Sequence, residues 1–447
     1  MPPFKILALG DSVVWGQGLQ TQHKWVELVR QSIAQKHPGA TLASLAHSGA
    51  IIDLQTQEQT DHTTFLFGEL PRSLPAILTQ VQVAAGANGF ASYLQPHAVD
   101  PDFWKITKAD LARQVEGFKE SPPDLILLDG GINDLGALQI VLPWSLHDGD
   151  GGVGAADTSL SRILNAATVA GGVLDPKALP NLHILTPDEF RDLVNKFVFT
   201  RMTTLLAQVA AVPTFRDSKV IVTGYFPIFT AGSIEGLAAR ELNPAVLAIL
   251  MGKPRTREEL LASLRWALSP MPGMEDYHNF VIQRSDLWYK FSTQRLQDAV
   301  DQANARFGNR FALASPEFGR DNGAFASDSL LWTFTPAVDS FLQDLLSLLG
   351  GGGILDEIER TVPILGSRAS GFSLGYLLGK GLAEDEVKDD RSIAASQYYV
   401  DSEVGSSDQN ATLPNGFTTS VASAGHPNVK GAQVYARAVE QQISQLF

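Results

Sequence analysis

Short apolar runs alternate along this chain with longer segments of helical spacing. Residues 4–9 are apolar and end at Gly10, the pattern of a strand buried on both faces of a parallel sheet. A helix is expected over 25–35, where Trp25, Leu28, Val29 and Ile33 share one face. Further strands are expected at 41–46, 124–128, 219–223 and 310–314, the third running into Asp129-Gly130-Gly131 and the fourth into Gly224-Tyr225-Phe226-Pro227. Helical patterns cover 187–209, 255–268, 287–307 and, at the end, 431–446. Strands alternating with helices predict an α/β fold around a parallel sheet, in which ligands bind at the carboxyl ends of the strands.

Three stretches break the alternation. Residues 55–120 are mixed and loop-rich, and 137–185 are rich in Gly, Ala and Asp. Residues 325–415 hold an apolar helical pattern at 338–349, four glycines at 350–353 and then a polar region. No internal repeat is visible, so these stretches are expected to be insertions into one catalytic domain spanning 1–447 rather than separate domains. The glycine run could hinge a lid, although such runs are more often plain flexible loops.

Composition narrows the function. With 447 residues, 44% hydrophobic and 18% charged, the chain has globular composition and enough length for a large core. A net charge of −14 argues against nucleic acid as a partner, because an acidic surface repels phosphate. With no cysteine, disulfides and thiolate chemistry are excluded. The first ten residues read as a strand rather than a signal peptide, which makes a cytoplasmic location the default expectation. No apolar stretch is long enough to span a membrane.

Four sites could carry chemistry. Gly10-Asp11-Ser12 follows the first strand and would present a hydroxyl at the top of the sheet; the bland alternative is a helix-capping serine. The loop matches neither a dinucleotide fingerprint nor a phosphate-binding loop. Ala46-His47-Ser48-Gly49-Ala50 follows the second strand, and Gly49 could bring its backbone N–H close to a substrate oxygen; His47 reads as structural. Gly131-Ile132-Asn133-Asp134 follows the third strand, and the Asn133 amide could donate to a developing oxyanion without adding charge. Removing such a donor costs about 3–4 kcal/mol in serine proteases. An ordinary Gly/Asn/Asp turn is the competing explanation. His426-Pro427-Asn428 opens the last helix and supplies a base suited to neutral pH, or else is merely a helix entry.

Taken together, GDS at 10–12, Gly49, G-x-N-D at 131–134 and HPN at 426–428 resemble the SGNH (GDSL) hydrolase family, whose signature residues are Ser, Gly, Asn and His. The Gly68-Glu-Leu-Pro71 stretch and the run 124–134 look like a large-insertion branch of it. The resemblance implies a flavodoxin-like three-layer α/β/α sandwich. It also implies an ester hydrolase, of esterase or lipase type, with Ser12 as nucleophile and His426 as base. The oxyanion hole would be the backbone N–H groups of Ser12 and Gly49 and the side chain of Asn133. An acyl-enzyme would form and be hydrolysed, with no metal or organic cofactor.

One position departs from the family. Its members usually place an aspartate three residues before the histidine, where this chain has Ser423. Either a backbone carbonyl orients His426, or a carboxylate from an insertion such as Asp401 or Asp408 does, or the site is weak or inactive. Losing the acid costs about 10⁴ in kcat in a triad built around it. Asp11 and Asp134 adjoin motif residues and read as structural. A calcium loop starting at Asp148 would need an acidic residue where Ser159 stands. The expected substrate is a lipid or short acyl ester. The alternatives are an O-acetylated carbohydrate, a non-catalytic binding protein on the same scaffold, or a structural module. Acyl chain length, leaving group and oligomeric state are not encoded legibly.

Overall fold

The computed structural model describes residues 3–46, 50–53, 76–86, 122–136, 140, 185–235, 277–324, 326–332 and 425–447. The expected helices at 255–268 and 338–349, the glycines at 350–353, the loop at 148–159 and most of the three insertions lie outside these residues. So do His47, Gly49, the 68–71 stretch, Asp401, Asp408 and Ser423.

In chain order the elements that position the site are β1 (Lys5–Leu9), α1 (Ser12–Trp15), α2 (Trp25–Lys36), β2 (Thr41–Ser44), α3 (Ile77–Ala84), β3 (Leu125–Leu128) and α4 (Ile132–Leu135). Then come α5 (Pro187–Val194), α6 (Arg201–Ala211), β4 (Lys219–Thr223), α7 (Ala231–Glu235), α8 (Tyr277–Phe307), β5 (Phe311–Ala314) and α9 (Val429–Leu446). All five strands are parallel and lie in the order β2-β1-β3-β4-β5. This is the flavodoxin-like order, and the expected α/β class is what the chain adopts. Each expected strand forms; β4 has the expected bounds and the other four are shorter by one or two residues.

The apolar runs explain the centre of the sheet. Leu125–Leu128 is buried throughout, and β1 and β4 are buried at every position but the first. Helices cover the sheet in two groups. α2 packs with α9, while α6 packs with α3 and α8. The ring of Trp25 stacks on Tyr435 at 5.9 Å, and Phe4 meets Phe447 at 5.4 Å. These contacts bring the last helix of the chain back to its first strand.

Two differences from the expected pattern have physical causes. The helix expected over 187–209 is continuous but contains a π-helical turn, Asn195–Thr200, between α5 and α6. Helical periodicity does not reveal one extra residue per turn. The stretch 55–120 contains an element of the core itself: α3 buries Ile77, Gln80, Val81, Val83 and Ala84 and packs on β1. Eight residues with a buried glutamine among them gave no amphipathic signal.

Candidate active site

Strand order places the site. β1 connects to β2 on one side and its neighbour β3 lies on the other, so the crevice above β1 and β3 is the switch point of this sheet. Ser12 follows β1, and Asn133 follows β3.

The Ser12 turn is held by backbone contacts. Asp11 caps α1 by accepting the N–H of Val13 at 2.8 Å. Asp129, at the end of β3, accepts the N–H of Asp11 at 2.7 Å and of Val14 at 3.2 Å. Gln80 of α3 accepts the N–H of Gly10 at 2.8 Å and donates to its carbonyl at 2.9 Å. Trp25 donates its indole N–H to the carbonyl of Val13 at 2.8 Å. Gly10 has φ +151°, and a Cβ there would stand 1.9 Å from Asp129 Oδ1, so only glycine fits. Ser12 itself is buried at the first position of a helix, where its N–H has no intrahelical acceptor.

His426 reaches the same place from the far end of the chain. Its Nε2 lies 2.7 Å from Ser12 Oγ, across 414 positions of sequence. A short strap, 328–332, holds the histidine turn. Trp332 donates its N–H to the His426 carbonyl at 2.7 Å, and Gly425 donates to the Trp332 carbonyl at 2.9 Å. Asn428 is the cap of α9: its Oδ1 accepts the N–H of Gly431 at 3.0 Å, while its Nδ2 donates to the Ser329 carbonyl at 2.9 Å. A Lys430–Asp328 ion pair at 2.8 Å closes the strap on its exposed side.

Asn133 sits in the first turn of α4 and donates its side-chain amide to the carbonyl of Ala50 at 2.9 Å. Ala50 directly follows Gly49, so the Asn133 turn is tied to the segment that carries the glycine. The same segment is held by Asp134, which accepts the N–H of Ile52 at 3.0 Å and pairs with Arg201 at 2.6 Å. Arg201 also donates to the Asp53 carbonyl at 3.3 Å. Burial pushes the Asp134 carboxyl up to about 6, against the opposing pull of the Arg201 guanidinium.

Asp11 and Asp129 form a buried acidic pair below Ser12. Burial raises both, and the charge of Asp11 adds to the rise at Asp129. Tyr225 donates its hydroxyl to Asp11 Oδ2 at 2.8 Å. Burial and the two acids push the phenol well above its ordinary value, so it stays neutral and keeps its proton to donate.

Of the residues singled out from sequence, the structure brings Ser12 and His426 into hydrogen-bond contact and places Asn133 after the neighbouring strand. Asp11 and Asp134 both turn away from the hydroxyl to hold backbone and side-chain donors. Sequence reading missed Asp129, Gln80, Tyr225, Arg201 and the 328–332 strap. The positions of Asp129 and Tyr225, just beyond the third and fourth apolar runs, were the signals available. Among the described residues no group of three or more His, Cys, Asp or Glu side chains is arranged to hold a metal.

Residues 6–168 match the family model described as GDSL-like lipase/acylhydrolase. The match covers about a third of the chain. The segment contains Ser12, Gly49 and Asn133 and ends well before His426, which joins the site through the hydrogen bond to Ser12. Among solved structures, the extracellular lipase from Streptomyces rimosus is similar at 12% identity, with 74% of this chain and 88% of that one covered and a TM-score of 0.32. Phospholipase A1 from Streptomyces albidoflavus NA297 is similar at 13% identity, with 74% and 87% covered and a TM-score of 0.30. Likeness at this level carries no argument about the site. No curated protein matches. The matched model is one of lipases and acylhydrolases. Among the described residues no helix is long and apolar enough to cross a membrane.

Proposed function

We propose that this chain is a serine-dependent carboxylic ester hydrolase acting through an acyl-enzyme, with one catalytic domain carrying the three insertions. The observation that carries the reading is the 2.7 Å contact between Ser12 Oγ and His426 Nε2 at the carboxyl end of the sheet. With its ring proton on Nδ1, His426 accepts the Ser12 proton through Nε2 as Oγ attacks the ester carbonyl. The carbonyl oxygen becomes an oxyanion, received by the backbone N–H of Ser12, the backbone N–H of Gly49 and the second amide hydrogen of Asn133, the first being committed to Ala50. The imidazolium then gives its proton to the leaving alcohol. Water, deprotonated by the same imidazole, hydrolyses the acyl-Ser12 ester and restores the free hydroxyl.

A lipid or short acyl ester is the proposed substrate class. Fluorophosphonate labelling followed by peptide mapping tests the reading, in wild type and Ser12→Ala. The expected result is one adduct per chain on Ser12, none in the variant, and hydrolysis of p-nitrophenyl esters lost with the label. A folded wild-type chain that takes no label would overturn it and favour a binding protein on the same scaffold.

A further inference from the structure

One hydroxyl touches both turns of the proposed site. Tyr225, two residues beyond β4, donates to Asp11 Oδ2 at 2.8 Å and accepts the N–H of Ile132 at 3.3 Å. Asp11 immediately precedes Ser12, and Ile132 immediately precedes Asn133. We propose that Tyr225 is a positioning residue for ester hydrolysis, fixing the Asn133 turn relative to the Ser12 turn so that hydroxyl and amide address the same carbonyl. The inference rests on the roles proposed above for Ser12 and Asn133.

The chain between the two turns shows why such a bridge is needed. Asp129 already ties the end of β3 to the Ser12 turn through the N–H groups of Asp11 and Val14. Between Asp129 and Ile132, however, stand Gly130 and Gly131, with φ of 152° and 124°. Two successive glycines make a soft joint, and anchoring the residue before them does not fix the residue after them. Tyr225 spans that joint from outside. Its own ring is fixed against the buried indole of Trp288, centroids 5.3 Å apart, so the hydroxyl is presented from a rigid support. Because the phenol stays neutral, it donates to Asp11 and accepts from Ile132 across the working range of pH.

Tyr225→Phe removes the hydroxyl and keeps the ring. The expected result is a fall in kcat of about 10- to 100-fold with KM changed less than about 3-fold, and an equal fall in the rate of fluorophosphonate labelling of Ser12. In an Asn133→Ala background the same substitution should lose most of its effect, because the turn it holds no longer delivers a donor. Circular dichroism and the thermal midpoint establish that each variant is folded. A folded Tyr225→Phe chain with wild-type kcat, or one whose loss is undiminished in the Asn133→Ala background, overturns the inference. Should Tyr225→Phe not fold, Asp11→Asn weakens the same bridge from its other end without touching the tyrosine, and is judged by the same two criteria. Labelling of wild-type Ser12 separates the two levels: no adduct there overturns the underlying reading, whereas an adduct with an indifferent Tyr225 overturns this inference alone.

Discussion

At Gly10 a single missing Cβ decides whether the nucleophile turn can form. The backbone sits at φ +151° with Asp129 Oδ1 where a methyl would go. Gly10→Ala therefore combines an unfavourable backbone conformation with a steric clash, and the expected cost is about 3 kcal/mol or more. Urea unfolding measures it, and a variant within about 0.5 kcal/mol of wild type would contradict the geometry. Residues of this kind divide into those a sequence shows and those it hides. Ser12, Asn133 and His426 stand in short motifs beside apolar runs, and their chemistry is local enough to be read. Gln80, Asp129 and Tyr225 act on groups 70 to 214 positions away, and no motif around them announces those partners.

Among the elements, β1, β3 and β4 were legible because a parallel strand buried on both faces leaves a continuous apolar run. α3 and the 328–332 strap were not, being short and embedded in stretches with no clear period. The strap nonetheless holds the histidine turn. Asn428 joins it to α9 through one cap and one bridging amide. Asn428→Ala should cost about 1–2 kcal/mol of stability and lower kcat more than it raises KM, since His426 lies two residues before it. Steady-state kinetics beside urea melts check this. Lys430→Ala, which breaks only the exposed pair with Asp328, should cost less than about 1 kcal/mol.

At the scale of the molecule, the three buried carboxyl groups among the described residues shift in one direction. Asp11, Asp129 and Asp134 all hold their protons more tightly in the folded chain than an ordinary aspartate does. For Asp134 the folded value is about 6 against 3.8, so between those values the folded state binds more protons than the unfolded one. Its contribution to stability is therefore full below about pH 4 and lost as pH rises through about 6, a change on the order of 3 kcal/mol. Asp134→Asn removes the titrating group but keeps a side chain of the same shape beside Arg201. The fall in its urea midpoint between pH 4.5 and pH 7 should therefore be shallower than that of wild type. Equal slopes would show that another group carries the titration.

The contact between Ser12 and His426 also has a date in the life of each molecule. The two residues are separated by 414 positions. A ribosome adding about 5–20 residues per second needs roughly 20 to 80 s to travel from one to the other. Throughout that interval the growing chain carries Ser12 without His426. α9, which docks against α2 and brings the histidine home, is completed later still. On the mechanism proposed above, reactivity at Ser12 begins only after residue 426 has left the exit tunnel and the two ends of the chain have met.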